Sequence, residues 1–351
     1  MPSIVKPSAI HPSLQKNAIG LNLRDYEGAM STLCAGCGHD SITAAIIKAF
    51  WEMSVEPHRI AKLSGIGCSS KTPTYFVSGA HGFNSAHGRM PAIATGANAA
   101  NRELLYIGVS GDGDSLSIGL GQMCHAIRRN LKMLYVIENN GVYGLTKGQF
   151  SASADVGSKA KKGDANQMSP LDPVTLGLAI GATFVARSFS GDKDQLVPIL
   201  RAGLAHRGLA LVDVISPCVT FNDHNGSTKS YLYTRQHQMR ATESELVDQH
   251  SEILAQISAA GETRVTMHDG SVMRFTQTPT GYDPTNRASV YGYLDEQRHK
   301  GVVPTGILYV DESQPDVHEM NNTPDQALAT LPYSKLTPGA SALEELMAEF
   351  R

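Results

Sequence analysis

The sequence lacks the features of membrane, secreted and nucleic-acid-binding proteins. No apolar run approaches the roughly 20 residues needed to cross a bilayer, and the amino terminus does not have the pattern of a secretory signal peptide. The formal net charge of −3 gives no support to a nucleic-acid partner or to a role at a membrane surface. We therefore expect a cytoplasmic protein with neither kind of partner.

Cysteine is also scarce, with five residues in a chain of 351. So few cysteines in a chain predicted to be cytoplasmic argue against a disulfide framework. Cys34 and Cys37 form a single C-x-x-C motif. By itself, this motif is compatible with redox chemistry, with zinc or iron–sulfur binding, and with coincidence.

What the sequence does have is a regular alternation of helical patterns and apolar runs between residues 42 and 218. Helices are predicted at 42–53, 91–101, 116–127, 172–180 and 192–206. Strands are predicted at 60–63, 104–109, 133–137, 183–188 and 209–215. This alternation is typical of an α/β protein with a doubly wound, mostly parallel sheet.

The alternation is lost beyond residue 218, and we place the end of the main domain at residue 225. Residues 226–351 are predicted to form an irregular C-terminal extension that packs on the same domain. The regular elements expected in this part are a helix at 242–260, a strand at 306–310 and an acidic helix at 341–350.

The third predicted helix and its flanking strands form one right-handed βαβ unit with a polar cluster after each strand. The clusters are GDGD at 111–114 and ENNG at 138–141. Because α/β proteins bind ligands at the carboxyl ends of their strands, we expect the two clusters to form one site. Asp112 and Asn140 offer side-chain oxygens and Val142 a backbone carbonyl, and Mg²⁺ prefers such ligands together with phosphate oxygens. GDGD alone would also fit a turn that simply needs glycine.

GDGD, 25 intervening residues and NNGVYGLTKGQ together resemble the thiamine-diphosphate motif in the beta subunits of 2-oxoacid:ferredoxin oxidoreductases. Four further motifs, CAGCGHDSI, GIGCSSK, HGRMPAIATGAN and SPCVTFND, occur in the order that this family shows. The resemblance covers about residues 25–225. It implies a domain of the kind that binds the diphosphate half of the cofactor.

The resemblance implies a role for each matching residue. Asp112, Asn140 and the Val142 carbonyl would bind Mg²⁺. The residues expected to contact thiamine diphosphate are Ile66, Gly67, Cys68, Ser69, His87, Gly113, Asp114, Gly144 and Leu145. Lys71 would pair with the carboxylate of the 2-oxoacid, which is how the family uses this lysine. The alternatives are a turn or helix-cap role for Asp114 and a solvated position for Lys71.

Four of the five cysteines also match the family. The resemblance implies that Cys34, Cys37, Cys68 and Cys218 bind one [4Fe–4S] cluster, because the family holds its cluster at these positions. Spacing alone does not distinguish this cluster from zinc, since one C-x-x-C motif and two distant cysteines are a weak signature. Cys124 falls within a predicted helix and is expected to be a small core residue.

The family also implies a reaction and partners. Its members oxidise a 2-oxoacid with coenzyme A to acyl-CoA and CO₂, with ferredoxin as electron acceptor, or run the reaction in the carboxylating direction. In overall pattern the chain resembles the 2-oxoglutarate type more than the pyruvate type. Thiamine enzymes need a glutamate from a pyrimidine-binding domain that this sequence does not show, so we expect an alpha subunit and an α₂β₂ heterotetramer. The alternatives are a pyruvate-type enzyme, a non-redox thiamine enzyme and a zinc-stabilised scaffold subunit.

Overall fold

The structure is a computed structural model that describes residues 11, 13–159, 164–247, 263–277 and 279–350. The strands are β1 Ile60–Ser64, β2 His81–Asn84, β3 Leu105–Gly111, β4 Met133–Asn139, β5 Val142–Tyr143, β6 Gln149–Phe150, β7 Phe184–Phe189, β8 Leu209–Ile215, β9 Gln238–Arg240, β10 Glu243–Val247, β11 Thr263–Thr266, β12 Val272–Gln277 and β13 Val303–Val310. The helices are α1 Gly38–Glu52, α2 Thr72–Tyr75, α3 Met90–Ala100, α4 Leu120–Arg128, α5 Pro173–Ile180, α6 Lys193–Ala205, α7 Tyr231–His237, α8 Arg287–His299, α9 Val317–Asn321, α10 Tyr333–Leu336 and α11 Gly339–Ala348.

The main sheet has eight strands in the order β2-β1-β3-β4-β8-β7-β13-β9. All neighbouring strands in it are parallel except β7 and β13, which pair antiparallel. The predicted mostly parallel sheet is therefore confirmed. Since β1, β3 and β4 are adjacent and parallel, their carboxyl ends meet at one edge of the sheet.

Helices cover both faces of this sheet. On one face, α1 and α6 pack on side chains such as Leu134 and Val136 of β4. On the other face, α3, α4, α5 and α8 pack on the alternate residues of the same strand, such as Tyr135 and Ile137. All seven residues of β4 and all seven of β8 are buried, as expected for central strands that are covered on both faces.

Local sequence signals set the ends of several helices. The Asp172 side chain accepts a hydrogen bond from the Val174 N–H, and Pro173 occupies the first turn of α5. Gly181 ends the same helix in the left-handed region, at φ +96°. The predicted helix at 172–180 is confirmed for these reasons.

The C-terminal extension is more regular than predicted. Its strand β13 joins the main sheet beside β7, and β10, β12 and β11 form a separate antiparallel sheet. The predicted helix at 242–260 is wrong over Glu243–Val247, which form β10, and residues 248–260 lie outside the described residues. The predicted strand at 306–310 lies within β13, and α11 corresponds to the predicted final helix.

Two strands of the main sheet, β2 and β9, were not predicted. All four residues of β2 are exposed, so this edge strand has no alternation of apolar and polar residues to reveal it. Within the described ranges, no helix is long and apolar enough to cross a membrane.

Candidate functional site

Asp112 lies at the end of β3, where the chain enters a π-helical turn formed by Gly113–Ile118. Glycine is needed around this turn. A Cβ atom on Gly113 would lie 2.5 Å from the Tyr143 ring, and one on Gly65 would lie 2.3 Å from a carboxylate oxygen of Asp114. Because both distances are shorter than van der Waals contact, the glycines let the backbone pack directly against these side chains.

The Asp112 carboxylate is 1% exposed and forms no ion pair with any described residue. Burial raises its pKa, and hydrogen bonds from Ser151, Ser153 and the Asn140 backbone, together with the charge of Lys229, offset only part of this rise. A buried carboxylate without a cation is energetically unfavourable. These surroundings therefore favour a bound metal ion.

Asn140 follows β4, and its backbone N–H points to Asp112 Oδ1 at 3.3 Å. Its side-chain oxygen accepts a hydrogen bond from the Val142 N–H at 3.0 Å, and its backbone carbonyl accepts one from Asn222 at 2.8 Å. Val142 then begins β5, which pairs antiparallel with β6. The end of β4 is thereby held against the end of β3.

An open cleft lies at the carboxyl ends of β1, β3 and β4. It is lined by all nine residues predicted to contact thiamine diphosphate and by the three predicted Mg²⁺ ligands. The remaining lining residues are His39, Gly111, Ile118, Tyr143 and Thr146. The cleft thus brings together side chains that lie far apart in the sequence.

Two of the four predicted cluster cysteines lie against one glycine of the cleft. A Cβ atom on Gly144 would lie 3.3 Å from the Cys68 sulfur and 3.8 Å from the Cys218 sulfur. Burial raises the pKa of the Cys68 thiol, and repulsion from Cys218 and Cys34 adds to this effect.

The C-x-x-C motif approaches the same region from the start of α1. Burial raises the pKa of the Cys37 thiol to about 12, and Cys218 contributes to the rise. Cys34 is exposed, with the Thr220 hydroxyl 3.5 Å from its sulfur. No three His, Cys, Asp or Glu side chains of the described residues are arranged to hold a single metal ion. Cys124 is half-buried on α4.

Comparisons with known proteins identify the family. Residues 65–214 match the model of the thiamine pyrophosphate enzyme, C-terminal TPP binding domain. The beta subunit of 2-oxoacid:ferredoxin oxidoreductase 1 from Aeropyrum pernix is 46% identical over 194 residues, which are 55% of this chain and 60% of that protein. The 2-oxoglutarate synthase subunit KorB from Methanocaldococcus jannaschii is 34% identical over 54% of this chain and 69% of that protein. The chain belongs to the family of 2-oxoacid:ferredoxin oxidoreductase beta subunits.

Further members of this beta-subunit family match over a similar range. The 2-oxoglutarate oxidoreductase subunit KorB from Mycobacterium tuberculosis is 44% identical over 54% of this chain and 51% of that protein. The chain thus spans about half of the length of one curated relative and 60% of another. A solved structure, 2-oxoglutarate:ferredoxin oxidoreductase from Magnetococcus marinus with 2-oxoglutarate, coenzyme A and succinyl-CoA bound, superposes with a TM-score of 0.70. It is 26% identical, and the match covers 93% of this chain and 97% of that chain.

The predicted membership of the beta-subunit family is confirmed, and so is a domain that binds thiamine pyrophosphate. The match to the family model begins directly after β1, ends within β8 and includes Cys68, Asp112 and Asn140. Cys34, Cys37 and Cys218 lie outside its limits.

Glu138 and the cleft residue His39 form a buried pair that could not be recognised from the sequence. Glu138 is fully buried, and its carboxyl group accepts hydrogen bonds from the Thr72 hydroxyl at 3.0 and 3.1 Å. His39 Nδ1 lies 3.4 Å from Glu138 and 2.6 Å from the Ser216 hydroxyl, and His39 Nε2 lies 3.4 Å from the Asn140 amide. Burial raises the pKa of Glu138 well above its usual value and lowers that of His39 to about 4.

Asp114 connects the end of β3 to the loop that carries His87. Its two carboxylate oxygens accept hydrogen bonds from the Gly88 N–H at 2.8 Å and from the Ser110 hydroxyl at 2.7 Å. His87 is itself exposed and lines the cleft. Asp114 therefore fixes the loop on which this histidine lies.

Lys71 ends the 3₁₀ turn Ser69–Lys71, directly after Cys68. It is half-buried and does not line the cleft. In the part of the chain that the structure describes, it has no carboxylate partner. Its charge acts on the Cys68 thiol by lowering the pKa of that group, against the larger effect of burial.

Proposed function

We propose that this chain is the thiamine-binding subunit of an enzyme that oxidatively decarboxylates a 2-oxoacid, with 2-oxoglutarate as the preferred substrate. Coenzyme A would accept the acyl group to give acyl-CoA and CO₂, and ferredoxin would accept the electrons. The observation that carries the proposal is the cleft, which collects a buried carboxylate without an ion pair, glycine turns and the Cys68 thiol at one edge of the sheet, with the Cys218 thiol against Gly144. The 2-oxoglutarate oxidoreductase and synthase relatives and the Magnetococcus marinus structure with bound 2-oxoglutarate and coenzyme A support the same reaction.

The residues at the ends of β3 and β4 fit thiamine diphosphate and Mg²⁺. Asp112, Asn140 and the Val142 carbonyl would hold the metal ion, which prefers oxygen ligands and the oxygens of a bound diphosphate. The backbone at Gly113 approaches the cleft closely because this residue has no side chain. When bound, thiamine diphosphate supplies the carbanion stabilisation that loss of CO₂ from a 2-oxoacid requires.

The four cysteines support an iron–sulfur cluster better than a zinc ion. Four thiolates around one Zn²⁺ must all lie about 2.3 Å from the metal and therefore crowd together. A [4Fe–4S] cluster spreads its four thiolates over four irons, so the sulfurs are further apart. Among the described residues, no three such side chains are close enough for one ion, whereas Cys68 and Cys218 flank Gly144 on the cleft. A cluster here would supply a one-electron acceptor beside the thiamine site.

Lys71 is the candidate for binding the carboxylate of the 2-oxoacid. It follows the cleft residue Cys68 and has no acidic partner in the described part of the chain, so its charge is available to a substrate. A half-buried lysine pairs more strongly with a carboxylate than a fully solvated one does.

Exposed apolar residues support a partner subunit, which we propose to be an alpha subunit within an α₂β₂ heterotetramer. Ile118 and Leu145, on the cleft, are 52% and 54% exposed. Helices α10 and α11 bury none of their side chains, and Leu343 and Leu346 of α11 are more than half exposed. Exposed apolar surface of this kind marks sites of protein contact. We place the complex in the cytoplasm.

Metal and cofactor content test the proposal. The chain is co-expressed with its alpha partner, purified without oxygen and analysed for iron, zinc and thiamine. We expect a brown complex with about four iron atoms per chain and bound thiamine diphosphate. Zinc without iron, together with no bound thiamine, would instead indicate a scaffold subunit. Thiamine without iron would indicate a non-redox thiamine enzyme.

A further inference from the structure

The two carboxylate oxygens of Asp112 have different surroundings. Oδ2 accepts hydrogen bonds from the Gly141 N–H at 3.1 Å, from the Ser153 hydroxyl at 2.6 Å and from the Ser151 hydroxyl. Among the residues that the structure describes, Oδ1 accepts one hydrogen bond, from the Asn140 N–H at 3.3 Å. Oδ2 therefore has three hydrogen-bond donors around it, whereas Oδ1 has a single long hydrogen bond.

This difference determines which oxygen can bind a metal. A carboxylate has about four lone-pair positions, two on each oxygen. Three donors exceed what Oδ2 can accept at full strength, whereas Oδ1 keeps at least one lone pair for a ligand. Hydroxyl donors to a charged carboxylate are among the stronger hydrogen bonds in proteins, so they also fix the side-chain rotamer.

The two serines lie on the loop after β6, 39 and 41 residues beyond Asp112. They are 4% and 1% exposed. The Ser151 N–H donates to the Gly141 carbonyl at 3.0 Å, so the loop is tied to the polar turn that follows β4. The serines are thus held in place independently of any cofactor.

A chain of buried groups anchors Ser153 from behind. Its hydroxyl lies 2.8 Å from Asn139 Oδ1, the second acceptor to which its single proton can be donated, and the Asn139 amide donates to Asp213 at 2.9 Å. The other oxygen of Asp213 accepts from Arg187 at 2.9 Å, and Arg187 also pairs with Asp172. This network extends under the sheet edge and restricts movement of the serine.

We propose that Ser151 and Ser153 are positioning residues, which hold Asp112 through Oδ2 and leave Oδ1 as the oxygen that binds Mg²⁺. The inference rests on the proposed function, because it assumes that Asp112 is a Mg²⁺ ligand. Groups that orient metal ligands typically change metal affinity by roughly 10–100-fold when they are removed.

The test uses the complex with the alpha subunit, stripped of metal and thiamine. Binding of thiamine diphosphate is titrated with Mg²⁺ by calorimetry for the wild type, Ser151→Ala, Ser153→Ala, the double variant and Ser153→Thr. The matched control is Ser188→Ala, because Ser188 is a fully buried serine that donates to Gln195 instead. Mn²⁺ in place of Mg²⁺ gives an electron paramagnetic resonance spectrum that reports the ligand geometry.

We expect the double variant to need about tenfold more Mg²⁺ or more, to bind thiamine diphosphate normally at saturating Mg²⁺, and to show an altered Mn²⁺ spectrum. Ser153→Thr, which keeps the hydroxyl, should restore most of the affinity, and Ser188→Ala should behave as wild type. An unchanged Mg²⁺ requirement and spectrum in the double variant would overturn the inference, as would a defect that saturating Mg²⁺ does not repair. Failure of the wild type itself to bind thiamine diphosphate with Mg²⁺ would refute the proposed function instead.

Discussion

Asp112 and Glu138 are buried carboxyl groups at the ends of neighbouring strands, yet only Asp112 faces the cleft. Glu138 receives two hydrogen-bond contacts from Thr72, lies beside His39 and has a pKa well above its usual value because of burial. Burial disfavours the charged form of Glu138. Asp112, by contrast, lines the open cleft. This contrast at the level of single residues explains why one of the two is the metal ligand in our proposal.

Replacing Asp112 by Asn tests that assignment directly. The variant loses the anionic ligand but keeps the size and most of the hydrogen bonds of the side chain. We expect Mg²⁺-dependent binding of thiamine diphosphate to weaken by more than the roughly 10–100-fold typical of residues around the ligands. Calorimetry of the complex measures this change. Asp192→Asn is the control, since Asp192 caps α6 and Asn is an equally good capping residue. Equal Mg²⁺-dependent binding of thiamine diphosphate by the two variants would contradict the assignment.

Lys71→Ala should separate substrate binding from cofactor binding. A charged hydrogen bond contributes about 1.5–3 kcal/mol, so the KM for the 2-oxoacid should rise by at least about tenfold. Thiamine diphosphate affinity should change little. Steady-state kinetics and calorimetry give the two values, with Lys48→Ala on the exposed face of α1 as control. Comparable losses of both affinities would show that Lys71 has a structural role.

Some single residues of the site could be predicted from the sequence, and others could not. The cleft residues could be predicted because they follow strands and match motifs of fixed spacing. Ser151 and Ser153 could not, since their link to Asp112 depends on how the loop after β6 folds back over the end of β3. His39 lies within a quoted motif, but only the structure places its ring against Glu138 and Asn140.

At the level of elements, the strands buried on both faces were predicted well because continuous apolar runs identify them. The edge strand β2 and the peripheral strand β10 were not predicted. The residues of β10 have a composition compatible with a helix, and they form a strand because β12 offers a partner. The exposed strand β2 has no apolar pattern and is fixed only by its pairing with β1. Tertiary pairing outweighs local propensity in both cases.

Glu312 connects three elements and gives the fold a pH-dependent contact. It follows β13 and contacts His206 at the end of α6 and His268 in the turn between β11 and β12. Burial alone would raise its pKa, but hydrogen bonds from the two histidines lower it from 4.5 to about 2. Because the folded-state pKa is depressed, the contact contributes its full stability above the unfolded pKa and loses it as the pH falls towards about 2.

Glu312→Gln should therefore destabilise the protein near neutral pH by on the order of 1–3 kcal/mol. The difference from wild type should shrink as the pH falls from about 5 towards about 2, because Glu312 is protonated first in the unfolded chain and only near pH 2 in the folded protein. Thermal unfolding of both proteins across this range measures the effect. Glu296→Gln is the control, because Glu296 forms an exposed pair with Lys300. A stability difference that does not depend on pH would contradict this account of the contact.

At the level of the whole molecule, the amino-terminal cysteine motif, the cleft and the loop after β8 converge on one end of the sheet. Cys37→Ala and Cys218→Ala should each abolish most of the iron content of the complex while leaving thiamine diphosphate bound. Cys124→Ala should keep its iron, since Cys124 lies on α4 outside the set. Iron analysis with visible spectroscopy measures these outcomes. Loss of iron from Cys124→Ala but not from Cys218→Ala would refute the assigned ligands.

The proposed reaction can be tested with a single assay of viologen reduction. The complex with its alpha subunit, purified without oxygen, is incubated with coenzyme A, a viologen acceptor and either 2-oxoglutarate or pyruvate. We predict viologen reduction that requires both coenzyme A and the 2-oxoacid, and that is faster with 2-oxoglutarate than with pyruvate. A preference for pyruvate would reassign the substrate. No reduction with either 2-oxoacid, by a complex that contains iron and thiamine diphosphate, would contradict the proposed function.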